Sequence, residues 1–268
     1  MKSYRWAAGA AALFLGLATL SGTAQAADQS SDLAAANYVA LGDSYSAGNG
    51  AGDYDDDSGD CHRSNKAYPA LWASANSPSS FSFVACSGAV TDDVLNNQVS
   101  SLNSDTSLVS LSIGGNDAGF ANAMTTCVTL GESACLDKVA EAKDYINNTL
   151  PGKLDKVYDA ISSKAPNAKV VVLGYPHMYQ LNGSCSVGIS EKSREAINSA
   201  SDALASVTSA RVSAHGFSFG DTRDTFDGHE ICSGDSWLHS VTVPVWAAYH
   251  PNANGHSGGY LPLLEQNA

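Results

Sequence analysis

Apolar residues in this chain gather in short unbroken runs, with few strict alternations. Tyr38-Val39-Ala40-Leu41, "FSFVAC" (81–86), "TSLVSLSIGG" (106–115), "AKVVVLGYP" (168–176) and "HGFSFGD" (215–221) each hold one such run. Runs of that length predict strands buried on both faces. Helical patterns lie between them. Residues 136–164 carry two, "LDKVAEAKDYINN" and "PGKLDKVYDAISSKA", and Pro151 suits a helix start. The segment 190–214 puts Ile197, Ala200, Leu204, Val207 and Ala210 near one helix face. Apolar strands alternating with helices predict an α/β fold: a parallel sheet covered on both sides. In such sheets ligands sit at the carboxyl ends of strands, so the residues just past each run are the place to look for chemistry.

The first 26 residues stand apart from this pattern. Lys2 and Arg5 precede the apolar stretch "WAAGAAALFLGLATL", and Ala24-Gln25-Ala26 is a small-residue cleavage signal. This reads as a secretory signal peptide over 1–26. Residues 27–268 then form a single domain, with 27–36 a flexible or further-trimmed start. No other run approaches the roughly 18 residues of a membrane span, so a soluble extracellular protein is expected. The formal net charge is −13, and both basic residues of the leader are lost with it. So acidic a chain is a poor match for nucleic acid or anionic membranes. Six cysteines remain, at 61, 86, 127, 135, 185 and 232. An even count in an exported chain implies disulfides, with fifteen pairings open. The absence of C-x-x-C leaves zinc ligation and redox chemistry without support.

The ends of three runs are informative. Tyr38–Leu41 is followed by Gly42-Asp43-Ser44, 81–86 by Ser87-Gly88, and 106–113 by Gly114-Gly115-Asn116-Asp117. Together they offer a hydroxyl, a backbone amide and a carboxamide. Acyl transfer needs that set: an attacking oxygen, and donors converging on the oxyanion that develops. Among seven histidines, His250 opens "HPNANGH" on a loop constrained by Pro251. It is the candidate base. Two decoys are set aside. Gly255-His256-Ser257-Gly258-Gly259 matches G-x-S-x-G, but it follows no strand, and no acid-then-His order remains after Ser257. Gly234-Asp235-Ser236 also lacks a strand before it.

With these residues together, the chain resembles the GDSL, or SGNH, hydrolase superfamily. The resemblance runs through Gly42-Asp43-Ser44-Tyr45, Gly88, Gly115-Asn116-Asp117 and His250-Pro251, across residues 38–262. The leader and the cysteine layout are similar to secreted lipases and phospholipases A1 of actinobacterial type. The resemblance implies a three-layer α/β/α fold of flavodoxin-like type. It also implies Ser44 as nucleophile, His250 as base, an oxyanion hole from Ser44, Gly88 and Asn116, and bridges Cys61–Cys86, Cys127–Cys135 and Cys185–Cys232. Where the superfamily carries Asp in D-x-x-H, this chain has Ala247. A backbone carbonyl, of Ala247 or Ala248, is then the expected partner of His250, and Asp43 is expected to hold its own turn.

The implied activity is a serine carboxylic ester hydrolase acting on lipid esters, with no metal or cofactor. Its expected associations are a lipid ester substrate, transient contact with a lipid interface, and a monomeric state. Rival readings are an acetyl esterase acting on carbohydrate or xylan, and an inert binding protein on the same fold. Tyr175, Met178, Tyr179, Trp237, Leu238, Val243 and Trp246 are candidates for an acyl groove. The acidic stretch Asp53–Asp60 fails the calcium-loop pattern, with Ser58 sixth and Ser64 twelfth, and is expected to be a solvated loop.

Overall fold

The computed structural model describes Met1 and residues 36–268. The leader expected over 1–26, apart from Met1, and nearly all of the 27–36 segment therefore lie outside the described residues. Each of the five apolar runs supplies one strand: β1 (Asn37–Ala40), β2 (Ser80–Phe83), β3 (Leu108–Leu111), β4 (Lys169–Leu173) and β5 (Ser218–Gly220). All neighbours pair in parallel, in the order β2-β1-β3-β4-β5. The central runs are apolar because helices cover both faces, whereas the edge strands β2 and β5, expected to be buried as well, are exposed or half-buried at all positions but Gly220. Every residue of β3 is buried, as are the last four of β4. Ser110, the polar residue inside β3, is satisfied by the Tyr38 hydroxyl at 2.6 Å.

That strand order is the flavodoxin-like one, and it has a consequence for ligand binding. After β1 the chain goes to one side for β2, then returns to the other for β3. A crevice opens at the carboxyl ends of β1 and β3, where the order reverses. The register sets Val39 opposite Val109 and Ala40 opposite Ser110, so Ser44 and Asn116 leave the sheet on the two sides of this crevice.

Helices form the outer layers. They are α1 (Ser44–Ala47), α2 (Tyr68–Asn76), α3 (Thr91–Asp93), α4 (Phe120–Thr129), α5 (Glu132–Asn148), α6 (Leu150–Lys164), α7 (Glu191–Ala214), α8 (Thr222–Thr225) and α9 (Leu261–Asn267). In α6, Leu154, Val157, Tyr158 and Ile161 repeat at helical spacing and are all buried, and Pro151 sits in its first turn. Helices α5, α6 and α7 pack together, while α9 packs on α2 and against β4 and β5.

Disulfides join Cys61 to Cys86, Cys127 to Cys135 and Cys185 to Cys232. Bridges of this kind commonly add about 2–4 kcal/mol each. Residues Asp56–Cys61 of the acidic stretch wind into a 3₁₀ turn capped by the Asp55 side chain. The G-x-S-x-G decoy lies in a π-helical turn, Gly255–Tyr260, leading into α9. That is no strand-to-helix elbow, and Ser257 points to solvent.

Candidate active site

The turn after β1 is built from the backbone outward. Leu41 N–H donates to Ser110 O at 2.9 Å and Asp43 N–H to Ser112 O at 3.0 Å, which continues the pairing with β3. Gly42 between them has φ 120°, and a Cβ there would lie 2.6 Å from Ser112 O, so the turn needs glycine. Gln98 grips the same residue twice. Its Oε1 accepts from Gly42 N–H at 2.7 Å, and its Nε2 donates to Gly42 O at 2.9 Å. Asp43 then caps α1 by accepting from Tyr45 N–H at 2.9 Å. Ser44, the first residue of that helix, is buried with only 6% exposure.

The second oxygen of Asp43 accepts from the Tyr175 hydroxyl at 2.5 Å, and that hydroxyl accepts from Gly115 N–H at 3.3 Å. Asp43 thus fastens its own turn to the β3 loop, as expected. Burial pushes its carboxyl up to about 7, although the Tyr175 and Tyr45 donors pull the other way.

Across the crevice, His250 Nε2 lies 2.8 Å from Ser44 Oγ. Its Nδ1 lies 2.8 Å from Ala248 O. A carbonyl can only accept, so Nδ1 carries the proton and Nε2 presents a bare lone pair to the serine. Of the two carbonyls left open by the sequence, Ala248 has this contact. Desolvation pushes the imidazole down to about 4; the Ala248 carbonyl raises it and His239 lowers it further. At neutral pH the ring is uncharged, the form that can take a proton.

The loop bearing His250 belongs to no sheet. It is closed at its base by His239 N–H to His250 O at 2.9 Å and Tyr249 N–H to His239 O at 3.1 Å. Three further bonds tie it to the serine segment. Tyr45 OH donates to Tyr249 O at 2.7 Å, the Asn49 carboxamide to Trp246 O at 3.4 Å, and His239 Nε2 contacts Gly50 O at 2.8 Å. Sequence reasoning missed Tyr45, Asn49, His239 and Gln98 as supports of the site.

Gly88 adopts φ 79° with open space where a side chain would be. Its turn is anchored by Ser87 N–H to Cys61 O at 3.2 Å and by the Cys61–Cys86 bridge. Asn116 Nδ2 donates to Ala89 O at 3.0 Å. That bond uses one amide hydrogen and aims the carboxamide at the Gly88 turn. The neighbouring Asp117 accepts from Thr91 N–H at 2.9 Å and Thr91 Oγ1 at 2.6 Å, which locks the two loops together.

Beside Ser44 opens a cavity with about 670 Å³ of empty space including its mouth. Asp43, Ser44, Tyr45 and Asn116 line one end. Ala118, Phe120, Ala123 and Met124 from α4 and its approach, Val139, Ala142 and Ile146 from α5, and Ile197, Ala200 and Leu204 from α7 make the walls. Of the expected groove residues, only Tyr175 and Met178 line it. Trp237 stacks on His229 with ring centres 3.6 Å apart, and Trp246 on His62 at 3.9 Å. Leu238 is buried at the base of the loop and Val243 is 90% exposed. Tyr179 faces a different cavity.

A buried serine in hydrogen-bond contact with an uncharged histidine, at the head of an apolar cavity, is suited to acyl transfer from an ester. Residues 40–257 match the GDSL-like lipase/acylhydrolase family. The chain belongs to that family. A lipase of Streptomyces rimosus is 59% identical over 98% of both chains. The crystal structure of an extracellular lipase from Streptomyces rimosus superposes with a TM-score of 0.86 at 62% identity, covering 87% of this chain and all of that one. The structure of a phospholipase A1 from Streptomyces albidoflavus NA297 matches with the same score, identity and coverage. This GDSL-family chain is a carboxylic ester hydrolase of the lipase/esterase kind.

Proposed function

We propose that this family member is a secreted hydrolase of lipid esters that works through an acyl-enzyme on Ser44. Ser44 Oγ attacks the ester carbonyl while His250 Nε2 takes its proton. The carbonyl oxygen becomes an oxyanion, held by the N–H groups of Ser44 and Gly88 and by the free amide hydrogen of Asn116. Collapse expels the alcohol, which leaves with the proton from His250. Water then loses a proton to His250 and attacks the acyl-enzyme. The acid is released, and the proton returns to Ser44 Oγ. Throughout, Ala248 O holds Nδ1–H and favours the imidazolium that forms transiently.

One observation carries the substrate class: the cavity running from the Ser44–His250 pair is walled by side chains of α4, α5 and α7 that are almost all apolar. Such a lining suits the hydrocarbon of an acyl chain, whereas the hydroxyls of a carbohydrate ester would find few polar partners in it. The names of the Streptomyces lipases and phospholipase A1 support the same class. The extracellular Streptomyces rimosus lipase and the three bridges of this chain support secretion.

The test is a panel of p-nitrophenyl esters from C2 to C16, with tributyrin and phosphatidylcholine beside it. kcat/KM is expected to rise from acetyl toward longer chains, and an organophosphate is expected to label Ser44 alone. Strict preference for acetyl would return the acetyl-esterase reading, and no labelling at Ser44 would overturn its assignment as the nucleophile.

A further inference from the structure

The large apolar side chains that the fold leaves in water are not scattered. Apart from Met1, eight are exposed among the described residues, and six of these are Val128, Leu130, Val187, Val241, Val243 and Val245. Val128, Val187 and Val241 line one surface cavity together with Tyr249, the residue before His250. Leu130 follows Val128 by two positions at the end of α4. Val243 and Val245 continue outward from Val241 along the tip of the His250 loop, 90% and 78% exposed.

The surrounding charge distribution sharpens the pattern. From Ser236 to Asn252 the chain has no Asp, Glu, Lys or Arg, although the protein as a whole carries a net charge of −13. The loop's base is firmly held. His239 and His250 close it, and Trp246 is stacked on His62 and edge-on to Tyr54 at 5.1 Å. A rigid base with protruding valines exposes apolar surface at no gain to folding, because those side chains touch little of the protein. Burial in a second medium is what would reward it.

We propose that the valine tip, residues 241–245, together with the flanking Val128, Leu130 and Val187, is the face that docks on an electrically neutral or zwitterionic lipid surface. The inference rests on the lipid-ester reading above. The occupant is a lipid layer, because the patch adjoins the His250 loop and so meets the phase in which an insoluble ester resides. The layer is uncharged, because an anionic one would repel so acidic a protein. Docking there sets the crevice against the surface, and an acyl chain passes from the lipid layer into the cavity with little exposure to water.

The test is a V243S/V245S double variant of the full secreted chain, since neither side chain belongs to the catalytic or acyl-binding set. Binding to phosphatidylcholine vesicles is read by co-sedimentation. It should weaken by about tenfold or more, the order expected when two valine side chains can no longer leave water. Hydrolysis of vesicle phosphatidylcholine should fall in parallel. Hydrolysis of p-nitrophenyl butyrate below its solubility limit should stay within about twofold, and this readout separates failure of docking from failure of the esterase reading. Equal vesicle binding by the wild type and the variant would overturn the proposal, as would no vesicle binding by the wild type. So would tighter binding to phosphatidylglycerol than to phosphatidylcholine. A wild-type dimer in sedimentation velocity that the double substitution dissolves would assign the patch to a second copy instead.

Discussion

The two halves of the candidate dyad are held in opposite ways. Ser44 stands at the carboxyl end of a central strand, and side chains from distant parts of the core clamp its turn: Gln98 on Gly42, and Tyr175 on Asp43. His250 stands on a strand-free loop with valines in solvent, and its Nδ1 is oriented by main chain alone. The serine side depends on residue identity at several remote positions. The histidine side depends on the course of the backbone. The two meet through few bonds, chiefly Tyr45 OH to Tyr249 O. Position of Ser44 is thus a property of the core, and position of His250 is a property of a loop.

The strongest way to break this comparison is to remove either partner. Ser44→Ala and His250→Ala should each lower kcat by at least about 10⁴-fold, and the double variant should be no worse than either, since the pair acts as a unit. Steady-state kinetics with circular dichroism to confirm folding decides this, and additive losses would mean that the two sides act separately. Asn116→Ala should lower kcat by about 10²–10³, the usual effect of losing one oxyanion donor, with KM little changed. An effect confined to KM would make Asn116 a binding residue.

The pH profile comes next. An ordinary imidazole near 6.5 would be only about 3% neutral at pH 5, whereas a ring at about 4 stays about nine-tenths neutral. kcat/KM should therefore hold down to pH 5 and fall only as pH drops through about 4, where His250 gains its proton. Stability carries the same signature. His250 is depressed on folding, so its contribution is full above 6.5 and lost as pH falls toward 4. Asp43, raised to about 7, acts oppositely, losing stability as pH rises from 3.8 toward 7. An acid limb near 6.5 would point to a carboxylate partner for the histidine.

Tyr45→Phe cuts the main tie between the two halves and leaves Tyr249 O unpaired. It should cost about 1–3 kcal/mol in chemical denaturation, with a smaller loss of kcat. The smallest effects should be Asp235→Asn and Ala248→Ser, both within a few-fold in kcat. A triad aspartate would cost about 10⁴ on such replacement, so a folded Asp→Asn variant slowed that far would remove the distinction between the halves.

The difference between the halves also sets what could be read from the chain. The central strands were legible because burial on both faces leaves an apolar run; the edge strands β2 and β5 carry such runs while staying partly exposed. Gly42-Asp43-Ser44, Gly88, Asn116 and His250 were legible because each follows a recognisable turn. Gln98, Asn49 and Tyr45 were not. Their partners lie 56, 197 and 204 residues away, and nothing local distinguishes them from ordinary polar residues. The cavity beside Ser44 is not legible in the sequence for a related reason. The spacing puts Ile197, Ala200 and Leu204 on one face of α7 but does not say that they wall the cavity, because apolar packing and apolar binding use the same side chains. Trp237, Leu238 and Trp246, read as groove residues, shape and support the loop instead.

The bond from His250 Nδ1 to Ala248 O has a genetic consequence. Every codon except a stop encodes a carbonyl, so no missense change at 248 can delete the group in contact with His250 Nδ1. A substitution scan searching for a third catalytic side chain would pass over this position without a signal. The fragile codon is the next one. Tyr249 sits at φ 61°, a conformation that proline cannot adopt and that most residues avoid. A saturation library built on this enzyme can therefore leave 248 open to nearly any residue, while 249, whose side chain bonds neither Ser44 nor His250, is where the loop's course can be lost.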